Sequence, residues 1–308
     1  MTAPGFSIPA RLKDTVRRWT SDAGCEWLDA LPGLAAAYLD RWELSLERVC
    51  EPGGQISLVL LVRRADDTPA ALKIGYPDPE GAQEHAALAH WDGHGAVRLL
   101  EAAPQDRAML LERANGDVPL RSLPESKAML EALGALRLLW VAPPEGHPFT
   151  LVTDYVTDLR EILARRREMP AAAELQPLVD EALELSAALL DDSTAREERL
   201  LLHGDYHHGN VLAAERSPWL AIDPKPLVGE RAYDLAWLAQ DRLETLAGSP
   251  GPQAAARRRL QRLAADAAVD PDRLRGWTLF RTVEAGLWSL DVGDTQHASL
   301  YLEFAAML

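Results

Sequence analysis

The sequence predicts an α+β protein of two lobes, an N-terminal antiparallel-sheet lobe and a larger helical C-terminal lobe. Three observations predict it. Between residues 43 and 113, short β-rich runs alternate with turn residues around a single helical stretch. From Ala114 onward, apolar residues recur near the 3.6-residue helical period. The octet His203-Gly204-Asp205-Tyr206-His207-His208-Gly209-Asn210, flanked by apolar triplets, interrupts those helices. The boundary is accordingly placed between a lobe of residues 1–113 and a lobe of residues 114–308.

Ser21 to Asp40 reads as a helix, with Trp27, Leu28, Leu31, Leu34 and Leu39 near one period. Glu43 to Val49 alternates as a strand, and Glu51-Pro52-Gly53-Gly54-Gln55 is a turn. Ile56 to Arg64 and Pro69 to Tyr76 are two further strands joined at Ala65-Asp66-Asp67-Thr68. A helix over Pro79 to Asp92 precedes strands over Ala96 to Ala102 and Ala108 to Arg113. The first lobe is thus about five antiparallel strands with a helix inserted after the third, and the cleft is expected near Leu110 to Asn115.

The second lobe begins with helices over Leu123 to Val141, Phe149 to Arg167 and Leu175 to Leu190. A hairpin over Leu200 to Ile222 follows. Helices resume over Tyr233 to Leu246, Gln253 to Ala268, Arg273 to Leu290 and Gln296 to Met307. Gly248-Ser249-Pro250-Gly251-Pro252 is a clear break. No repeat or low-complexity tail is visible.

Composition narrows the function. The 308 residues are 47% hydrophobic, enough for a sizeable core, and carry a formal net charge of -15. That charge argues against nucleic acid, whose binding depends on cationic side chains. It suits a cationic small molecule, although many acidic proteins are so only for solubility. No run approaches a membrane span, and Met1 to Asp14 lacks the pattern of a signal peptide. Cys25 and Cys50 are solitary, so a reduced, cytoplasmic protein is expected, as a monomer or weak homodimer.

The octet carries the chemistry. It reads H-x-D-x-x-x-x-N, and Asp223 follows on a short apolar strand thirteen residues after Asn210. That is the layout of a kinase catalytic loop with its metal-binding partner. In-line phosphoryl transfer needs an acceptor for the substrate hydroxyl proton, which fits Asp205. It also needs oxygen ligands that hold Mg²⁺ on the triphosphate of ATP, which fits Asn210 and Asp223. Two plainer readings compete: a polar hairpin satisfying its own backbone, and a zinc site of His203, His207 and His208.

Only four lysines stand against twenty-eight arginines, so Lys73 in the apolar run Ala70-Ala71-Leu72-Lys73-Ile74 is notable. A compact ammonium there can reach the α- and β-phosphates, unless it merely faces water from an edge strand. Glu84, or Glu80 one turn earlier, is the candidate carboxylate to hold it. Gly53 and Gly54 offer backbone N–H groups to phosphate and Ser57 a hydroxyl, though Gly-Gly is also an ordinary hairpin turn. Leu111 and Glu112 stand where the chain's backbone can read a purine edge. Asp234 opens a helix eleven residues after Asp223 and is read as a brace beneath the loop.

In the stretch Arg273 to Leu290, Trp277, Glu284 and Trp288 fall at i, i+7 and i+11. A carboxylate flanked by indoles can receive a guanidinium or ammonium. The alternative is an internal ion pair of Glu284 with Arg281, or partial exposure.

These residues point to a family. His203 to Asn210, the run Trp219 to Gly229, Tyr233-Asp234-Leu235, Leu31-Pro32-Gly33 and Arg41-Trp42-Glu43-Leu44 resemble the aminoglycoside phosphotransferases. Within them, the chain resembles the streptomycin 6-kinase and hydroxyurea phosphotransferase branch. The resemblance implies a protein-kinase-like fold and ATP-dependent O-phosphorylation of a small hydroxylated molecule, here an aminoglycoside-like cation and, for this branch, streptomycin. By motif it implies a catalytic Asp205, Mg²⁺ on Asn210 and Asp223, and Lys73 on the phosphates, supported by Glu84; His203 is read with Asp234 as structural support. His207 stands where protein kinases usually keep a lysine. Lys225 has no evident role. A metabolic alcohol kinase of the same fold and a non-catalytic binding protein are the competing readings.

Overall fold

The computed structural model describes residues 6–20, 22–193 and 197–308. They form two compact units. The first runs to Val118 and adds Leu212–Lys225; the second comprises Pro119–Val211 and Pro226–Leu308. A contiguous boundary after residue 113 does not describe this division, because the chain re-enters the first unit near Asp223.

The first unit begins with α1 (Ala10–Trp19) and α2 (Asp22–Arg41). The first helix escapes a reading by periodicity because only Leu12 and Val16 are buried along it, while Arg17 and Arg18 favour its C-terminal end. The second continues through Pro32; the expected start at Ser21 lies outside the described residues. Five strands follow: β1 (Ser45–Val49), β2 (Ser57–Arg63), β3 (Pro69–Gly75), β4 (Leu99–Ala103) and β5 (Ala108–Glu112). Glu43, expected to start a strand, instead takes a left-handed turn at φ 52°.

The sheet order is β1-β2-β3-β5-β4, and every neighbouring pair is antiparallel. Between β3 and β4 the chain makes a short 3-10 turn over Glu80–Gln83 and then α3 (Glu84–Trp91). The period-2 alternation of β2 and β3 sends Leu58, Leu60, Val62, Ala70, Leu72 and Ile74 into a core shared with Leu12, Val16, Leu31 and Tyr38 of the two helices. Lys73 lies out of phase with that set, on the opposite face of β3.

A second, three-stranded sheet has the order β10-β9-β6, from β6 (Asn115–Pro119), β9 (Val211–Ala213) and β10 (Trp219–Ala221). Its last strand is tied into the first unit by Ala221 N–H to Gly95 O at 2.9 Å and Val97 N–H to Ala221 O at 3.0 Å. Those two bonds fix the segment that carries Asp223.

In the second unit, α4 (Glu125–Leu139), α5 (Val152–Arg167) and α6 (Gln176–Asp191) precede a small sheet. Its order is β7-β11-β8, from β7 (Thr150–Leu151), β8 (Leu200–Leu202) and β11 (Leu227–Gly229). The stretch expected as one hairpin over Leu200 to Ile222 is therefore divided: β8 pairs with β11, and β9 with β10.

The remaining helices are α7 (Arg231–Ala239), α8 (Leu243–Ala247), α9 (Pro252–Ala267), α10 (Pro271–Asp291) and α11 (Thr295–Ala305). One helix was expected over Tyr233 to Leu246; the left-handed Arg242, φ 55°, splits it into α7 and α8. Helix α10 is buried on most sides and gives Trp277, Leu279, Phe280, Val283 and Leu287 to the core. At Gly276 and Gly286 a Cβ would meet Leu189 at 2.9 Å and Leu302 at 2.8 Å, so the glycines permit these close approaches.

Candidate active site

In the first unit, β3 delivers Lys73 to the N-terminal residue of α3. The ammonium donates to both carboxylate oxygens of Glu84, at 2.7 and 2.6 Å, and to Asp223 at 2.5 Å. Side-chain exposure is 8% for Lys73 and 6% for Glu84 but 47% for Asp223, so the carboxylate facing outward is the one on the re-entering segment. Burial works against the charged lysine, yet the two carboxylates overcome it and hold its pKa above the ordinary value. Burial pushes Glu84 up to about 7, against the pull of Lys73 and with a further push from Asp223. Asp223 sits in the left-handed region at φ 58°, an uncommon conformation for a residue with a side chain.

Glu84 is thus the partner of Lys73. Glu80 pairs instead with Lys225, at 3.0 Å on the surface, which gives that lysine a structural partner.

The face of the sheet around Lys73 is apolar. Val59 and Met109 are its cross-strand partners, and Leu61, Ala71 and Leu111 form the next rung. Leu111 was expected here from its position; Val59, Ala71 and Met109 became visible only through strand register. Glu112 is already engaged: its N–H donates to Arg98 O at 2.9 Å, and its carboxylate accepts from Arg98 N–H and Arg216. Its N–H therefore does not supply the purine-reading donor expected of it.

At the turn before β2, Gly53 has φ +69°, and a Cβ there would lie 2.8 Å from Cys50 O. A Cβ on Gly54 would collide with the hydroxyl of buried Ser57 at 2.2 Å. The left-handed backbone and the Cys50 carbonyl demand glycine at Gly53, while at Gly54 a side chain would displace the Ser57 hydroxyl.

In the second unit, β8 leads into the octet. The Asp234 carboxylate, from the first turn of α7, accepts N–H bonds from His203 at 2.9 Å and Gly204 at 2.8 Å, and the Trp140 indole N–H at 3.1 Å. Burial pushes Asp234 up to about 6, opposed by these donors. Tyr206, fully buried, donates to Ala132 O at 2.7 Å. Asn210 donates from Nδ2 to Asp205 O at 3.0 Å, closing the loop on itself.

The three imidazoles do not converge on an ion. His203 Nδ1 accepts from Asp205 N–H, His207 Nδ1 accepts from Gly209 N–H, and His208 Nδ1 bonds Asp241. Among the described residues, no group of three His, Cys, Asp or Glu is arranged to hold a metal by itself. This disposes of the zinc reading.

The expected substrate face on α10 is corrected. Trp277 is fully buried, and its indole N–H donates to Glu230 at 2.9 Å, beside the Glu230–Arg273 pair. It belongs to the core and does not line a ligand site. Glu284 is half-buried and pairs with Arg166 at 3.3 Å, so its internal partner comes from α5 rather than being Arg281. Trp288 is half-buried on the same helix. Arg281 lies over Trp237, 4.4 Å from the ring centroid, and donates to the Tyr233 hydroxyl at 2.9 Å.

Two residues near the octet carried no sequence signal. Asp241, just beyond α7, bonds His208, and burial is outweighed by that imidazole, which holds its carboxyl well below the usual range. Tyr301 of α11 is within electrostatic reach of Asp241 and Asp205; its pKa is raised first by burial and then by those carboxylates.

Comparison with known proteins gives the family. The family model described as aminoglycoside/hydroxyurea antibiotic resistance kinase matches residues 41–293. The chain belongs to that family. It is therefore an enzyme, a small-molecule phosphotransferase, and its α+β fold is the one shared by aminoglycoside phosphotransferases and related kinases. Streptomycin 6-kinase of Streptomyces glaucescens is 35% identical, covering 95% of this chain and 94% of the relative. Hydroxyurea phosphotransferase of Kitasatospora aureofaciens is 39% identical, covering 93% and 81%. Among solved structures, an aminoglycoside phosphotransferase APH(4)-Ia with ADP and hygromycin B aligns at TM-score 0.61 and 16% identity, covering 88% of this chain and 96% of that one. Among the described residues, no helix is long and apolar enough to cross a membrane.

Proposed function

We propose that this kinase transfers the γ-phosphoryl group of ATP to a hydroxyl of an aminoglycoside-like cation, with streptomycin the first acceptor to test. The observation that carries the reading is the trio in which buried Lys73 is held by Glu84 and reaches half-exposed Asp223. The half-exposed Asp223 carboxylate of that trio is suited to a cation brought with a triphosphate.

Lys73 binds the α- and β-phosphates, and Glu84 holds its ammonium in place. The face of Val59, Ala71, Met109 and Leu111 receives the purine, while Gly53, Gly54 and Ser57 close over the phosphates. Asp223 and Asn210 would hold Mg²⁺, which would supply positive charge against the charge that develops on the phosphates. Asp205 accepts the acceptor hydroxyl's proton as that oxygen bonds to the γ-phosphorus. The bond from this phosphorus to the β,γ-bridging oxygen breaks, and ADP leaves. Asp234 and His203 hold the loop in shape. The net charge of -15 favours a cationic acceptor.

The 39% identity to a hydroxyurea phosphotransferase supports a second reading, with hydroxyurea as acceptor. ADP release measured with Mg-ATP and streptomycin, other aminoglycosides, hydroxyurea or choline separates the two, with Asp205→Ala as the blank. Turnover confined to streptomycin and its relatives supports the first reading. Turnover on hydroxyurea alone replaces it with the second, and turnover on neither rejects both.

A further inference from the structure

Asp234 holds only the first half of the octet, through the N–H groups of His203 and Gly204. The second half contains the 3-10 turn His208–Asn210, where Asn210 N–H bonds His207 O at 2.9 Å. Its hold comes from elsewhere. One oxygen of Asp241 accepts both the His208 backbone N–H, at 2.7 Å, and His208 Nδ1–H, at 2.5 Å. The imidazole is wholly buried, and the Asp241 side chain is 8% exposed.

Asp241 is itself fixed from several elements. Its other oxygen accepts Arg242 N–H at 2.7 Å, with Arg121 Nη1 at 3.5 Å. Its carbonyl accepts from the buried Arg259 of α9 at 2.7 Å, and the same guanidinium pairs with Glu125 of α4. Arg242, whose left-handed turn ends α7, donates to Leu123 O at 3.0 Å. The split between α7 and α8 is thus the device that aims the carboxylate at the loop.

We propose that Asp241 is a positioning residue that clips His208 and thereby sets the orientation of Asn210 and, through the Asn210 Nδ2 bond, of Asp205. Asp234 and Asp241, seven residues apart, hold the two halves of one loop. The inference rests on the proposed roles of Asp205 and Asn210 for its kinetic consequence, but the clip is testable without them.

The test uses the full chain with Asp241→Ala, His208→Asn and His208→Gln. Asparagine puts its amide nitrogen about where the imidazole Nδ1 stands; glutamine puts it one bond further out. In the ligand-free protein, Asp241→Ala and His208→Gln raise amide hydrogen exchange at Gly209 and Asn210 about tenfold or more, leaving His203 and Gly204 protected. In turnover they lower kcat about 10- to 100-fold, with KM for ATP nearly unchanged. His208→Asn retains most of the parent exchange pattern and kcat.

Equal impairment by Asn and Gln at position 208, or unaltered exchange at Gly209 and Asn210, overturns the proposal. If Asp241→Ala fails to fold, the two His208 variants decide alone. If the parent turns over no acceptor, the functional reading fails, and the exchange pattern still decides the clip.

Discussion

Lys73 and Asp223 meet at 2.5 Å although 150 residues separate them in sequence. The contact exists because the β9–β10 hairpin is bonded into the first unit through Ala221, which returns the chain beside β3. The ammonium proposed to bind phosphate and the carboxylate proposed to bind the metal are thereby held together.

Glu84→Gln should weaken the use of ATP while preserving the fold. The amide keeps the shape of the carboxylate but no longer offsets the ammonium. A hydrogen bond to a charged group contributes about 1.5–3 kcal/mol, which corresponds to a loss of about 10- to 100-fold in kcat/KM for ATP. Steady-state rates at varied Mg-ATP measure it. An unchanged kcat/KM would remove Glu84 from nucleotide binding, and Glu80→Gln, which removes the surface pair with Lys225, is the matched control.

Asp205→Asn should reduce kcat by about 10²- to 10⁴-fold, the usual contribution of a positioned base. The side chain keeps its size, so thermal unfolding and ADP binding should match the parent. Turnover near the parent rate would show that another group accepts the proton.

Much of this was legible in the sequence, for physical reasons that differ by residue. The octet stood out because its residue types fall at the offsets that a phosphoryl-transfer loop requires. Lys73 stood out because a lysine in an apolar strand needs a partner. Glu84 was favoured over Glu80 from sequence, and the 3-10 turn that delays the start of α3 until Glu84 is what brings it to Lys73. Trp277 misled for a related reason. Helical spacing does put it near Glu284 and Trp288, but α10 is buried on most sides, so sharing a face does not imply facing a ligand. Asp241 gave no signal because its role depends on the left-handed turn at Arg242.

Asp234 should make stability fall with rising pH over a defined window. Its pKa is raised by burial from the ordinary 3.8 to about 6. Folding therefore favours the protonated form: the contribution is full below about pH 4 and is lost as pH rises through about 6. Asp234→Asn does not titrate, so the parent-minus-variant unfolding free energy should drop by about 2–3 kcal/mol between pH 4 and pH 7. Urea unfolding of both proteins across that range measures it. A flat or rising difference would mean that the donors from His203, Gly204 and Trp140 outweigh the desolvation.

Trp277→Phe should cost stability and leave acceptor binding alone. The indole is fully buried and donates at 2.9 Å to Glu230, a carboxylate 2% exposed that also pairs with Arg273. Phenylalanine removes that donor and leaves a gap where the second ring stood. Loss of one bond to a buried charged group costs about 1.5–3 kcal/mol, before any contribution from the gap. The midpoint of urea unfolding should fall accordingly, while KM for the acceptor stays at the parent value. A raised acceptor KM at unchanged stability would return Trp277 to the substrate site and contradict its place in the core.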